Sequence, residues 1–315
     1  MGERVTILFD ALSSESPDEA DNARQVAEVS AALARLGHEV RALGVGPDLA
    51  ALALASARDI GIAFNLIEGL GGCFYLYTAA AQHLEWRAVP FTGAGGDHLL
   101  TLSNKLLLRR ILPEGVRMPP LIDEAGAGER VIVKSVREHS SLGIDASSVV
   151  PRSKVEALIA DRCARHGGDW FAEEYIPGRE FTVAGIAGDV GPTVFPPSEI
   201  LFDAVPAGVA HVLDYTSKWA KDSADYKRTP RRALDARAEP TLYARLVEEG
   251  RSLWQGLGLR GYARFDYRLA KTGELYLIDV NLNPCLSADA GFMASAKDGG
   301  LGCDEVIAAI LEAAG

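Results

Sequence analysis

The stretch that most constrains this chain runs from Gly261 to Leu286, GYARFDYRLAKTGELYLIDVNLNPCL. Tyr262, Phe265, Tyr267 and Leu269 mark a strand, Lys271-Thr272-Gly273 makes a tight turn, and Glu274–Val280 returns beside it. Asp266 lies on the first strand, and Asp279 and Asn281 close the second. The hairpin can therefore bring three oxygen-bearing side chains to one end of a sheet. Hard oxygen donors of this kind suit Mg²⁺ held against nucleotide phosphates. Arg264, two residues before Asp266, shares its face and adds a fixed positive charge.

At 315 residues the chain is long enough for a large core divided over two or three lobes. A net charge of −11 argues against nucleic-acid binding, which needs a basic face. Against that acidic background Lys218, Lys221, Lys227, Arg228, Arg231 and Arg232 form one basic cluster. It reads equally well as solvated surface or as a loop that meets phosphates. Cys73, Cys163, Cys285 and Cys303 show no C-x-x-C spacing. That fits a reduced, cytoplasmic compartment better than a disulfide framework or a zinc site. The longest apolar run, Leu49–Ala57, is too short to span a bilayer, and charged Glu3 and Arg4 lead directly into a strand. Neither a membrane nor a nucleic acid is expected as a partner.

The N-terminal third alternates strand and helix. Val5–Phe9 reads as a strand, and Ser16-Pro17-Asp18-Glu19 opens a helix whose apolar face is Val26, Val29, Leu33 and Leu36. Strands at His38–Leu43 and Ile60–Asn65 flank a helix at Pro47–Ala57. This β-α-β-α-β order predicts a parallel, doubly wound sheet over residues 1–92, with ligands at the carboxyl ends of its strands. That directs attention to the loop from Asp10 to Glu15 and to Asn65–Gly72, whose glycines serve either close substrate approach or a simple turn.

Past a boundary at Phe91–Gly96, Asp97 caps a helix through Leu112 that carries Lys105. Arg130–Ser135 is a buried strand bearing Lys134. The polar loop Val136–Ile144 after it offers N–H groups and the hydroxyls of Ser140 and Ser141 to an anion. Pro151–Arg165 reads as a helix. Trp170–Ile176 and Glu180–Ala187 read as strands around a Pro177-Gly178 turn. Glu173, Glu174 and Glu180 could bind an adenine amino group and ribose hydroxyls, or could be solvated. Asp304–Ala314 reads as a closing helix.

Lys134 with RExSSxG, EExIxGREFTVA, DYTSKW, ARFDY and IDVNLNP stand in the order found in the ATP-grasp ligases. From about residue 90 to 290 the chain most resembles the D-alanine–D-alanine ligase family. The resemblance implies an α/β (α+β) ATP-grasp fold. Its parts would be an N-terminal doubly wound parallel sheet domain that binds substrate (1–92), a central small lobe (93–175) and a C-terminal mixed-sheet catalytic lobe (176–315). It implies an enzyme that uses ATP and two Mg²⁺ ions, with Mn²⁺ as the alternative, to join a carboxylate to an amine through an acyl phosphate. Amino-acid-like small molecules would be its substrates. Relatives dimerise, which implies a homodimer.

Site residues follow from the same resemblance. Lys105 and Lys134 match the lysines on the nucleotide phosphates. Ser140 and Ser141 lie in the flap over them, with Ser140 at the active-site serine. Glu173 matches the adenine acid, Glu174, Tyr175 and Ile176 the hinge, and Glu180 the ribose acid. Lys218 matches the closing-loop lysine that reaches the transferred phosphate. Arg264 matches the arginine that steadies the tetrahedral intermediate, and Asp266, Asp279 and Asn281 the metal ligands. Glu15 corresponds in place to the acid that holds the first substrate's ammonium.

Several departures from the family fall on the amino-acid pockets. Glu68 replaces a histidine, and Trp219 replaces a tyrosine that can accept a hydrogen bond. Cys285 replaces a glycine, Asp279 is one methylene shorter than Glu, and Ala290 replaces the serine that holds the second substrate's carboxylate. These changes point away from strict D-alanine–D-alanine synthesis and toward a modified amino acid or dipeptide. Two other readings stay open: a ligase that cyclises its substrate, and a non-catalytic nucleotide-binding module. Cys285 is either a nucleophile or packing.

Overall fold

The computed structural model describes residues 2–11, 17–71, 76–124, 128–137, 143–202, 205–206, 208–213 and 229–315. The strands β1 (Arg4–Asp10), β2 (Glu39–Val45) and β3 (Ile62–Asn65) form a parallel sheet in the order β2-β1-β3, as their alternation with helices requires. Val5 and Ile7 cluster with Val29 and Leu33 of α1 (Pro17–Arg35) and with Val306 and Ile310 near the C-terminus. Leu8 and Ala63 join a different cluster with Leu52, Ile60 and Leu84. Helix α1 stops at Arg35, so Leu36 is exposed rather than part of its apolar face.

Two expected helices are each broken in two, and both breaks have a local cause. Pro47–Ala57 becomes α2 (Ala50–Leu54) and α3 (Ala57–Ile60), because the Ser56 hydroxyl accepts the Asp59 N–H and starts a new helix. Strand β3 begins at Ile62 as a result. After α4 (Tyr77–Trp86), the helix expected from Asp97 to Leu112 divides into α5 (Gly96–Leu102) and α6 (Lys105–Ile111). Asn104 makes that break: its Oδ1 accepts the N–H groups of Leu106 and Leu107.

The central sheet is β5-β4-β6, built from β4 (Arg130–Ser135), β5 (Val149–Pro151) and β6 (Trp170–Glu174), antiparallel throughout. The helix expected from Pro151 starts later, as α7 (Val155–His166), because Pro151 ends β5. Alternation then decides the two faces. Val131, Val133, Trp170 and Ala172 pack with Val155 of α7. Ile132, Lys134 and Glu173 are left to face the other way.

The third sheet runs β10-β9-β7-β11-β12, with β8 (Thr193–Val194) on β7. Its strands are β7 (Gly178–Ile186), β9 (Ser198–Ile200), β10 (Arg231–Ala233), β11 (Tyr262–Ala270) and β12 (Leu275–Asn281). Every described pairing in it is antiparallel, where a mixed sheet was expected. Its apolar face, with Phe181, Val183, Phe265 and Tyr267, clusters with Leu246, Leu253 and Trp254 of α8 (Pro240–Gly256). Helices α9 (Gly291–Asp298) and α10 (Cys303–Glu312) close the chain, and α10 joins the N-terminal cluster. Among the described residues no helix is long and apolar enough to cross a membrane.

Strand β12 departs from regular pairing at one point, and the departure decides where an acid points. Leu275 and Leu277 are buried in the core, so strict alternation would bury position 279 as well. Instead the register passes from Tyr267↔Leu277 to Asp266↔Asp279, leaving Ile278 as a bulge. The phase reverses there. Val280 goes to the core, and Asp279 stands opposite Asp266 on the open face.

The start of β11 is also tightly held. Gly261 has φ +72°, and a Cβ there would lie 2.4 Å from Gly93 Cα; Gly273, in the hairpin turn, has φ +88° and no atom within 4 Å of such a Cβ. Gly273→Ala should therefore cost only the backbone strain, about 1–2 kcal/mol. Gly261→Ala should cost about 3 kcal/mol or more, because strain and overlap add. Urea unfolding of both variants checks this, and equal losses would contradict it.

Candidate active site

The central sheet and the β7-β11-β12 face enclose a cleft of about 820 Å³. Lys105, Lys134, Glu173, Glu174, Tyr175, Ile176, Glu180, Asp266 and Asp279 all line it. They come from α6, β4, β6 and its following hinge, β7, β11 and β12. Arg264 and Asn281 stand beside it as a register pair across β11 and β12. Glu15, Ser140, Ser141 and Lys218 lie outside the described residues, as do Trp219, Lys221, Lys227 and Arg228. Of the basic cluster, Arg231 pairs with Asp298 at 2.6 Å and Arg232 with Glu199 at 2.9 Å. Both arginines are held in ion pairs, and neither lines the cleft.

Every carboxylate named in the cleft meets a cation, except that no ion pair is described for Glu174. Glu173 is 1% exposed and lies between Lys134, at 2.7 Å, and Arg109. Lys134 also donates to the carbonyl of the bulge residue Ile278 at 3.4 Å, which ties β4 to β12. Lys105 lies 3.4 Å from Asp279. Arg264 grips Asp266 with two bonds of 2.9 Å. Burial disfavours the Arg264 charge, but Asp266 more than offsets this and the pKa is raised. Glu180 is paired with Arg268 at 2.7 Å.

Asp266 and Asp279, opposed on neighbouring strands, offer carboxylate oxygens to the cleft. Asn281 adds an amide oxygen two residues on, which also accepts the Asn283 N–H at 2.9 Å. Among the described residues no group of three or more His, Cys, Asp or Glu could hold a metal. Two carboxylates and an amide are too few for an all-protein cage. They do fit a hard cation whose remaining ligands are phosphate oxygens and water.

Three features escaped the sequence reading. Arg109 is one helical turn beyond Lys105, and that spacing alone puts both on one face of α6. Arg268 is two residues beyond Asp266, on the same face of β11. The bulge had a signal as well: the adjacent apolar pair Leu277-Ile278 breaks an otherwise alternating strand.

Beyond the face that carries Asp266 and Asp279, α1 grips the loop after β12. Gln25 Oε1 accepts the Leu286 N–H, and Glu28 Oε2 accepts that of Ala288 at 2.7 Å. Arg24 bonds Asp289 at 2.8 Å and also Asp21. Ser287 is fully buried, with its hydroxyl 3.5 Å from Asp21. Asp10 in turn accepts the N–H groups of Glu68 and Gly69 at 2.9 and 3.2 Å, fixing the turn after β3. The Cys285 thiol donates to Asp21 at 3.1 Å. Burial pushes its pKa up, and the charges of Glu68 and Asp21 push it further. A thiol so held stays protonated and is a poor nucleophile.

Comparison with known proteins gives one consistent result. Residues 125–312 match the family model for the D-ala D-ala ligase C-terminus. A D-alanine–D-alanine ligase of Granulibacter bethesdensis is 30% identical over 300 residues, covering 90% of this chain and 89% of its own. One from Gloeobacter violaceus is 26% identical over 325 residues, covering 98% of each. The crystal structure of D-alanine–D-alanine ligase from Bacillus anthracis complexed with ATP superposes with a TM-score of 0.73 at 18% identity, over 99% of this chain and 97% of that one. The last of these shows a shared fold.

Because the raised pKa leaves little thiolate at pH 8, Cys285 should react with iodoacetamide at least about tenfold more slowly than free cysteine. Cys285→Ala should keep ATP-dependent turnover within about twofold, since packing alone is lost. Rapid alkylation that abolishes turnover would restore the nucleophile reading.

Proposed function

The chain belongs to the D-alanine–D-alanine ligase family, and from that premise we propose how its cleft works and what it accepts. It is an ATP-dependent ligase that joins a carboxylate to an amine through an acyl phosphate. The observation that carries our reading is the convergence of Lys105, Lys134, Glu180, Asp266 and Asp279, from separate segments, on one cleft.

Glu173 and the 174–176 hinge take the adenine, and Glu180 the ribose hydroxyls. Lys105 and Lys134 take the phosphates, a role that fits their reach across the cleft to Asp279 and Ile278. Asp266, Asp279 and Asn281 would hold Mg²⁺, which would neutralise phosphate oxygens. The substrate carboxylate attacks the γ-phosphorus, the bond to the β–γ bridging oxygen breaks, and ADP leaves. The amine nitrogen then attacks the acyl carbon, sheds a proton, and phosphate departs. Phosphoryl transfer depends mainly on positioning and charge neutralisation, which Lys134 and Arg264 supply. The flap with Ser140 and Ser141, and the loop with Lys218, would exclude water from the acyl phosphate. Glu15 would hold the first substrate's ammonium.

We read the second substrate as an amine without the usual carboxylate, or as an amine within the first substrate. Ala290 has no hydroxyl to offer. Ser287 is buried, and the Leu286 and Ala288 N–H groups are already bonded to α1. Donors engaged in this way are poorly placed for a carboxylate.

Asp279→Ala should lower ATP-dependent turnover by about 10²-fold or more while the protein stays folded. Undiminished turnover would sink the assignment. An ADP-release screen over amino-acid pairs and simple amines, with product masses, identifies the substrates. Robust turnover on D-alanine alone would refute the altered pocket.

A further inference from the structure

Arg268 lines the cleft and carries no role in the phosphoryl transfer proposed above. It is 5% exposed and stands directly opposite Glu180 in the β7–β11 register. Its Nη2 lies 2.7 Å from Glu180 Oε2 and also donates to the His211 carbonyl. Its Nη1 donates to the Gly178 carbonyl at 3.2 Å. The guanidinium carbon sits 5.2 Å from the centre of the Phe202 ring and 5.9 Å from that of Tyr175. His211 is itself fixed, because its N–H donates to Tyr175 Oη at 2.9 Å and its ring stacks on Phe202. A planar cation bonded to two carbonyls and flanked by two rings has one orientation. The carboxylate it grips then has one orientation too.

We propose that Arg268 is a positioning residue for nucleotide selection: it fixes Glu180 so that the carboxylate accepts from the ribose hydroxyls, and so sets the preference for ribonucleotide over deoxynucleotide. The proposal rests on the reading of Glu180 as the ribose acid. A site built to bond a hydroxyl rejects the analogue that lacks it, provided the acceptor is already in place. Glu180 alone, on a side chain with three rotatable bonds, would not be in place. The fork of Arg268 supplies the constraint, and it does so from a strand, which is a rigid platform.

The test compares KM for ATP, 2′-deoxy-ATP and 3′-deoxy-ATP in ADP release. In the wild-type protein at least one deoxy analogue should show a KM about tenfold or more above that of ATP. Glu180→Gln should erase the difference. Arg268→Met, which keeps the apolar stem and removes the fork, should erase it too, with the change falling on KM for ATP. Arg268→Lys should retain part of it. The double variant should lose no more than either single one, since two residues acting as a unit are not additive. A merely structural role for Arg268 would raise all three KM values together and leave their ratio intact. Loss of discrimination in Glu180→Gln beside full discrimination in Arg268→Met would overturn the inference and leave the ribose reading standing. A wild-type enzyme that treats the three nucleotides alike would overturn both. Should Arg268→Met fail to fold, Arg268→Lys decides: its ratio should fall at least about threefold, and an unchanged ratio would overturn the inference.

Discussion

The cleft depends on pairing each buried carboxylate with a positive charge, in most cases one carried by a different element. Asp279 on β12 meets Lys105 on α6; Glu173 on β6 meets Lys134 on β4 and Arg109 on α6; Glu180 on β7 meets Arg268 on β11. Only Asp266 finds its partner, Arg264, on its own strand. Such pairs add little net stability compared with apolar packing, yet losing one partner costs about 3–5 kcal/mol. Their value lies in what they hold in place. A polyphosphate brings its own negative charge and can take over the lysines one for one. Cations that already face the opening need little rearrangement to receive it.

That pairing also explains which parts of the molecule could be read from sequence. Strands β4, β6 and β11 alternate with period two, so Lys134, Glu173 and Asp266 had to face away from Val131, Ala172 and Phe265. The parallel N-terminal sheet was legible for a similar reason, since strand and helix periods alternate there. Boundaries were harder. Ser56, with one side-chain hydrogen bond to the backbone, and Asn104, with two, each start a new helix, a signal too local for periodicity to register. Arg109 and Arg268 share a face with Lys105 and Asp266, but their pairing with Glu173 and Glu180 arises only through tertiary contact. The all-antiparallel third sheet was missed because strand direction depends on connections that composition does not specify.

The loop after β12 shows the same dependence on distant sequence. Its backbone donors are bonded by Gln25 and Glu28, more than 250 positions earlier in the chain. One face of α1 packs on the N-terminal sheet through Val29 and Leu33, while its polar residues clasp this loop. A helix in the first domain-sized unit therefore shapes the loop at one end of the cleft, while the carboxylates of the cleft belong to the later sheets. Change at the two ends can proceed separately, and Glu68 and Cys285, two of the departures from the family pattern, lie near this loop.

The bulge at Ile278 makes the strand sensitive to length in a way it is not to composition. Leu275, Leu277 and Val280 can be exchanged for other apolar side chains at modest cost. An inserted or deleted residue between Leu277 and Asp279 is a different matter. Deletion would restore simple alternation and keep the acid on the open face, yet remove the bulge carbonyl that Lys134 bonds; insertion would enlarge the bulge or carry Asp279 out of register with Asp266. Within this segment spacing is the protected quantity. A lineage could rewrite the apolar letters at modest cost, whereas changing their number by one would disturb the tie between β4 and β12 or the pairing of the two acids.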